Sequence, residues 1–233
     1  MGYIIVMTNM IDSLKNKVIV SVQAMPGEPL YPEECMFAMM KSVVNGGAAG
    51  LRVAGVRDVI NAKTLGLPVI GITKPDKLPD NWKEIVYITP TLTEVKALIE
   101  AGADIIAFDG TTRKRPHGCT LADIVEVIKT AGRYAMADIS TFEEAKICAD
   151  LGVDIVSTTL SGYTLESLSD SNEPDFTLVN KISSKLDVPV ICEGRIWEPT
   201  QVNHAFELGA HAVVIGSAIT RPQLITKRFV QGV

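Results

Sequence analysis

One phrase recurs along this 233-residue chain: a polar, helix-like stretch stops at glycine, and a short β-branched run starts within two or three residues. It reads Gly66-Leu67-Pro68-Val69-Ile70, Gly102-Ala103-Asp104-Ile105-Ile106, Gly152-Val153-Asp154-Ile155-Val156 and Gly209-Ala210-His211-Ala212-Val213. Glycine accepts the left-handed conformation that closes a helix, so each phrase marks a helix ending and a strand beginning. Reading every such run gives strands near 18–23, 49–52, 68–73, 104–109, 134–138, 153–158, 188–193 and 211–215, with helical patterns between them. Eight strands alternating with helices, nearly continuous in Val, Ile and Ala, predict a parallel sheet covered by helices. An open doubly wound sheet would want a Gly-rich dinucleotide turn after the first strand, and that turn is missing. The expected fold is α/β, a single (β/α)8 TIM barrel spanning residues 1–233 with a short N-terminal extension at about 1–16.

Composition excludes several function classes. A net charge of −5 argues against a nucleic-acid surface, which needs clustered Lys and Arg; the run Arg113-Lys114-Arg115 is too short to reverse that. No apolar stretch approaches a bilayer span, and the N-terminus lacks a secretory pattern, so a cytoplasmic protein without membrane partners is expected. Cys35, Cys119, Cys148 and Cys192 are scattered, with no C-x-x-C pair, and His117, His204 and His211 are isolated. Neither a zinc site nor a disulfide framework is indicated, and the four cysteines read as packing thiols. Dimerisation is compatible with a barrel of this size, with no residue pattern behind it.

Side chains alternate along a strand, so a strand-end residue pointing into the mouth has interior residues two and four places before it. Behind Lys74 stand Ile72 and Ile70, behind Glu193 Ile191 and Pro189, behind Asp109 Ala107 and Ile105, and behind Asp138 Met136 and Tyr134. With Gln23 closing the first strand and Arg52 the second, six strands finish in a residue that can ionise or hydrogen-bond. A lone member reads as a structural salt bridge; six on one rim point to a ligand site, because clustering charges without a ligand or partner is unfavourable. The last two strands end in Glu193-Gly194-Arg195-Ile196 and Ile215-Gly216-Ser217, followed by Arg221. Glycines there let backbone N–H groups approach an anion, and a helix opening at Ser217 aims its positive end at it, as in a barrel phosphate cup. Gly194, Arg195, Gly216 and Ser217 are the expected phosphate ligands; Arg221 either binds phosphate or pairs with a carboxylate. Two irregular stretches, Pro75 to Glu84 and Ser161 to Pro174, follow strands and are therefore candidate rims of the mouth.

These residues, in order along nearly the whole chain, resemble the N-acylglucosamine-6-phosphate 2-epimerase family, also called the N-acetylmannosamine-6-phosphate epimerase family. The motifs are Ser21-Val22-Gln23-Ala24, Gly46 to Arg52, Ile70-Gly71-Ile72-Thr73-Lys74, Tyr87-Ile88-Thr89-Pro90-Thr91, Asp109 to Pro116, Met136-Ala137-Asp138-Ile139-Ser140, Ser157 to Tyr163, Ile191 to Ile196 and Gly216 to Pro222. The resemblance implies interconversion of N-acetylmannosamine 6-phosphate and N-acetylglucosamine 6-phosphate, a step in sialic acid catabolism. It implies Lys74 as the catalytic lysine, Glu193 as the carboxylate beside it, and Gln23, Arg52 and Asp138 at substrate-binding positions. The chain departs from the family pattern at Pro75-Asp76-Lys77, where Arg and often a nearby Tyr are common, and at Val53-Ala54.

Inverting a stereocentre beside a carbonyl means removing a proton and returning it to the other face through an enolate. The open-chain sugar supplies the aldehyde, so no redox cofactor and no metal is expected. A lysine serves as base only with a depressed pKa, which burial and Arg52 can both promote. Pro75 biases Lys74 toward extended geometry that keeps the amine pointing inward. The proton can return from Glu193, from Asp138 or by way of a substrate hydroxyl. Two rivals remain at this level: a Schiff-base aldolase or lyase using the same lysine, and a sugar-phosphate-binding regulator without turnover.

Overall fold

The computed structural model describes residues 9–232, so the expected extension at about 1–16 is seen from residue 9 onward and residues 1–8 lie outside the described residues. Eight parallel strands close into a barrel in sequence order: β1 (Lys17–Val22), β2 (Gly50–Ala54), β3 (Val69–Ile72), β4 (Ile105–Asp109), β5 (Tyr134–Asp138), β6 (Ile155–Ser157), β7 (Val190–Glu193) and β8 (Ala212–Ile215). A short α1 (Met10–Ser13) precedes the barrel. Between the strands run α2 (Glu33–Asn45), α3 (Val56–Lys63), α4 (Leu92–Glu100), α5 (Leu121–Thr130), α6 (Phe142–Asp150), α7 (Phe176–Lys185) and α8 (Pro199–Glu207), and α9 (Ser217–Thr220) and α10 (Pro222–Gln231) follow β8. The expected TIM barrel is the observed fold. Among the described residues no helix is long and apolar enough to cross a membrane.

The alternation read from sequence is what sorts the core into two clusters. Ile19, Ile70, Ile72, Ile105, Ala107, Met136, Ile155, Ile191, Ala212 and Val214 fill the interior. Their neighbours, among them Val20, Leu51, Val53, Val69, Ile106, Phe108, Val156, Cys192 and Val213, face the helices. Helix starts are fixed locally: Thr120 accepts from the Asp123 amide while Asp123 accepts from the Thr120 amide at 2.9 Å, and Thr141 and Glu144 repeat the arrangement on α6. Buried Cys148 and Cys192 have thiols pushed up to about 12, by burial first and then by Glu144 and Glu193 respectively.

At the N-terminal end of the strands, α1 seals the interior. Ile11 and Leu14 belong to the inner cluster, and the tie is polar as well: the His211 ring meets the Ile11 carbonyl at 2.8 Å, and the Tyr134 hydroxyl donates to Asn9 at 2.7 Å. The strand bounds differ from expectation most at β6, which covers only Ile155–Ser157 of the expected 153–158, and at β2, which runs on to Ala54 instead of stopping at Arg52. A cation inside a strand is tolerated here because carboxylates from two other strands neutralise it.

Candidate active site

The strand ends open onto a cavity of about 450 Å³, within the range of small-molecule sites. Gln23, Lys74, Glu193, Gly194, Arg195, Gly216, Ser217 and Arg221 all line it. Both irregular stretches also supply wall: Leu78 and Trp82 from the loop after β3, and Tyr163 from the loop after β6.

Beneath the floor lies an ion network. Arg52 in β2 pairs register-to-register with Ser21 of β1 and projects inward, where its Nη1 and Nη2 donate to Asp138 Oδ1 and Oδ2 at 3.0 and 2.6 Å. The same Nη1 lies 3.2 Å from Glu193 Oε2. Arg52 and Asp138 are 1% and 0% exposed, whereas Glu193 keeps 13%. Of the expected substrate-binding residues, Gln23 and Arg221 line the cavity, whereas Arg52 and Asp138 lie beneath it in one ion network with Glu193. Burial disfavours the Arg52 cation, but Asp138 and Glu193 outweigh it, so the guanidinium stays charged. Glu193 moves the other way: burial raises its carboxyl, Asp138 adds to that, and Arg52 opposes.

Sequence reasoning did not single out Thr159. It stands in the turn Thr158–Leu160 that follows β6, and its hydroxyl lies 2.7 Å from Asp138 Oδ1 and 2.9 Å from Glu193 Oε2. One hydroxyl proton therefore serves two carboxylates, with the Ser157 hydroxyl 2.9 Å away to complete the chain. Hydroxyls have no strand-end charge signature, which is why the pattern does not reveal them.

Lys74 follows β3 and its Nζ donates to Gln23 Oε1 at 2.8 Å, while Gln23 Nε2 donates to Ser21 Oγ at 2.7 Å. Among the described residues no carboxylate oxygen lies within 4.0 Å of this amine. Its pKa falls to about 8, chiefly by burial and then by the Arg52 charge, with Glu193 and Asp138 pulling back. A lysine left unpaired and depressed can hold a proton or release it near neutral pH.

Across the mouth, the chain turns sharply after β7, with Gly194 and Arg195 at φ of 108° and 59°. Gly194 is needed there because an L side chain rarely reaches that φ. The Arg195 side chain is committed elsewhere: Nε donates to the Glu173 carbonyl at 2.7 Å and Nη1 to the Ser161 carbonyl at 2.8 Å, holding the loop after β6. Gly216 precedes α9, and Ser217 is its first residue. Arg221 lines the cavity and its Nη1 donates to Glu28 in the loop after β1. Asp109, the sixth polar strand end, is absent from the cavity wall. It binds Arg113 Nη2 at 2.6 Å, and Arg113 Nη1 in turn donates to the Lys83 carbonyl at 2.9 Å, so this ion pair anchors the loop after β3.

Fold and site together define the class: a (β/α)8 barrel whose mouth brings Lys74 and Glu193 to one cavity over a buried ion network, with the turns at Gly194 and Gly216 in the same wall. A family model described as "Putative N-acetylmannosamine-6-phosphate epimerase" matches residues 36–233. Similar curated relatives carry the corresponding 2-epimerase name: one from Clostridioides difficile is 45% identical, with 96% of this chain and 99% of that protein covered, and one from Clostridium perfringens is 47% identical, with 94% and 98% covered. The solved structure of the N-acetylmannosamine-6-phosphate 2-epimerase from Clostridium perfringens superposes with a TM-score of 0.91 at 46% identity, covering 97% of this chain and 96% of that one. The chain belongs to the N-acetylmannosamine-6-phosphate epimerase family.

Proposed function

We propose that the protein is a carbohydrate isomerase that interconverts N-acetylmannosamine 6-phosphate and N-acetylglucosamine 6-phosphate at C2 of the open-chain sugar. The observation that carries this reading is the depressed, carboxylate-free amine of Lys74 facing the same cavity as Glu193 and the glycine cup. The backbone amides around Gly194, Arg195, Gly216 and Ser217 hold the phosphate. Neutral Lys74 takes the C2 proton, with Gln23 fixing the direction of its lone pair through the 2.8 Å contact. Glu193, with its carboxyl raised by burial, orients the lysine, manages protons at the carbonyl oxygen, or does both. Arg52, Asp138 and Thr159 position Glu193, and the Arg52 charge keeps Lys74 deprotonated at lower pH than an exposed lysine. Arg221 borders the substrate and, through Glu28, ties the rim after β8 to the loop after β1.

The test is to add the protein to N-acetylmannosamine 6-phosphate in deuterated water and follow the sugar by NMR. Epimerised product deuterated at C2 is expected. Cleavage to smaller carbonyl compounds would select the aldolase reading, and an unchanged spectrum the binding protein without turnover. Lys74→Met should abolish deuterium incorporation while leaving sugar-phosphate binding measurable.

Two further properties complete the proposal. The protein works in the cytoplasm, because charged sugar phosphates are confined to the compartment that makes them. It also forms a homodimer: α10 has no buried residue, and Phe229 and Val230 are 74% and 69% exposed, an unusual end for an apolar helix face. Sedimentation at micromolar concentration should give twice the monomer mass; a monomer there removes the dimer without touching the chemistry.

A further inference from the structure

The loop after β3 builds the wall of the cavity farthest around the barrel from the phosphate cup. In a closed barrel ordered β1 to β8, the ends of β7 and β8 face those of β3 and β4 across the mouth. A sugar with its phosphate in the cup and C2 at Lys74 therefore spans the mouth. The acyl group, which is carried on C2, then lies under the loop that begins one residue after Lys74.

What that loop offers is apolar and held still. Trp82 meets Tyr87 edge-to-face at 6.2 Å and 84°, and meets Tyr163 at 6.2 Å and 45°. All three rings and Leu78 line the cavity. The main chain of the tryptophan is fixed as well, because its amide donates to the Pro79 carbonyl at 3.1 Å and the next carbonyl accepts from Arg113 at 2.9 Å. The Tyr87 hydroxyl stays protonated, its pKa pushed up to about 12 by burial and then by Asp109, so none of the three rings is itself charged, and the Lys83 and Arg195 cations lie over the Trp82 and Tyr163 rings at 5.6 and 5.4 Å. An uncharged aromatic surface anchored at backbone and ring suits a short alkanoyl group and limits how long it can be.

We infer that Trp82, backed by Tyr87 and Tyr163, is the acyl-recognition wall of this site and sets which N-acyl groups the protein accepts. The inference rests on the epimerase reading above. It is tested by steady-state kinetics of the wild type, Trp82→Ala and Trp82→Phe on N-acetyl- and N-propanoylmannosamine 6-phosphate, with glucose 6-phosphate as a competitive inhibitor lacking the acyl group. Returning one methyl group from an apolar wall to water corresponds to roughly a fourfold change in affinity. Trp82→Ala should therefore raise KM for the N-acetyl sugar about fourfold or more and shift kcat/KM toward the N-propanoyl sugar. The inhibition constant of glucose 6-phosphate should move by less than about twofold. Trp82→Phe keeps a ring but shortens the wall, so it should shift the preference part-way, and it carries the test if the alanine variant does not fold. Acylated and unacylated ligands weakening equally, or kcat falling at constant KM, would overturn the inference. A wild type that turns over neither acyl sugar would instead remove the epimerase reading itself.

Discussion

Replacing Lys74 with Met should make the protein more stable at neutral pH while removing its chemistry. The amine titrates at about 8 in the folded chain against 10.5 for the unperturbed side chain, mainly because folding strips its water. At pH 7 the amine is protonated in both states, and a shift of that size corresponds to a penalty on the order of 3 kcal/mol carried by the native state. This is an upper figure, since the amine borders an open cavity. Methionine fills similar space without charge, and Gln23, which loses its partner, faces the same cavity and can bind water. For a chain of this size the gain corresponds to roughly 6–12 °C in Tm. Because the folded pKa is the lower one, the native state binds fewer protons between about pH 8 and 10.5, and wild-type stability rises through that window. The advantage of Lys74→Met should be full below about pH 8 and gone by about 10.5. Calorimetry of both proteins across that range, starting from neutral pH, reads the difference directly. A methionine variant less stable at neutral pH, or a gap that does not narrow with pH, would refute the assignment of a desolvated, charge-crowded amine.

Three other outcomes are expected. kcat/KM should climb with pH to a plateau above about 8 as Lys74 loses its proton, and a profile already flat from about pH 6 would count against it as the base. Asp138→Asn leaves Arg52 without its bidentate partner and should lower stability by about 3–5 kcal/mol in urea titrations. The same change removes a charge that raises the Lys74 pKa, so the alkaline climb should move to lower pH; a shift upward would contradict the network. Gly194→Ala, at a φ of 108°, should cost about 1–3 kcal/mol of backbone strain and raise KM for sugar phosphate with Lys74 titration unmoved; an unchanged KM would separate this turn from phosphate binding.

The barrel is legible in the sequence because its signals are local and repeated. Each helix stop at glycine, and each inward Ile or Val two places behind a polar strand end, follows from chain geometry alone, and the interior cluster contains Ile70, Ile72, Ile105, Ala107, Met136 and Ile191 as the alternation requires. What the sequence leaves open depends on distances between strands. Asp109 and Asp138 pair with each other in the ladder and look alike as strand ends. One is taken by Arg113 four residues on and turned to loop anchoring, the other by Arg52 from three strands away. Arg52 lies deeper than a strand-end reading puts it, because a charge reads as a strand terminus until its counter-charges are seen. Thr159 and Trp82 carry no motif of their own; a hydroxyl between two carboxylates and a ring between two tyrosines exist only once β6 and the loop after β3 are brought together.

The small stopper made by α1 has a consequence for how hydrogen moves. Below the Arg52–Asp138 network, Ile11 and Leu14 close the far end of a column of aliphatic side chains, a stretch that offers water few partners. Traffic to Lys74 and Glu193 is thereby one-ended. A hydrogen lifted from the sugar leaves for bulk solvent by the mouth through which the sugar entered.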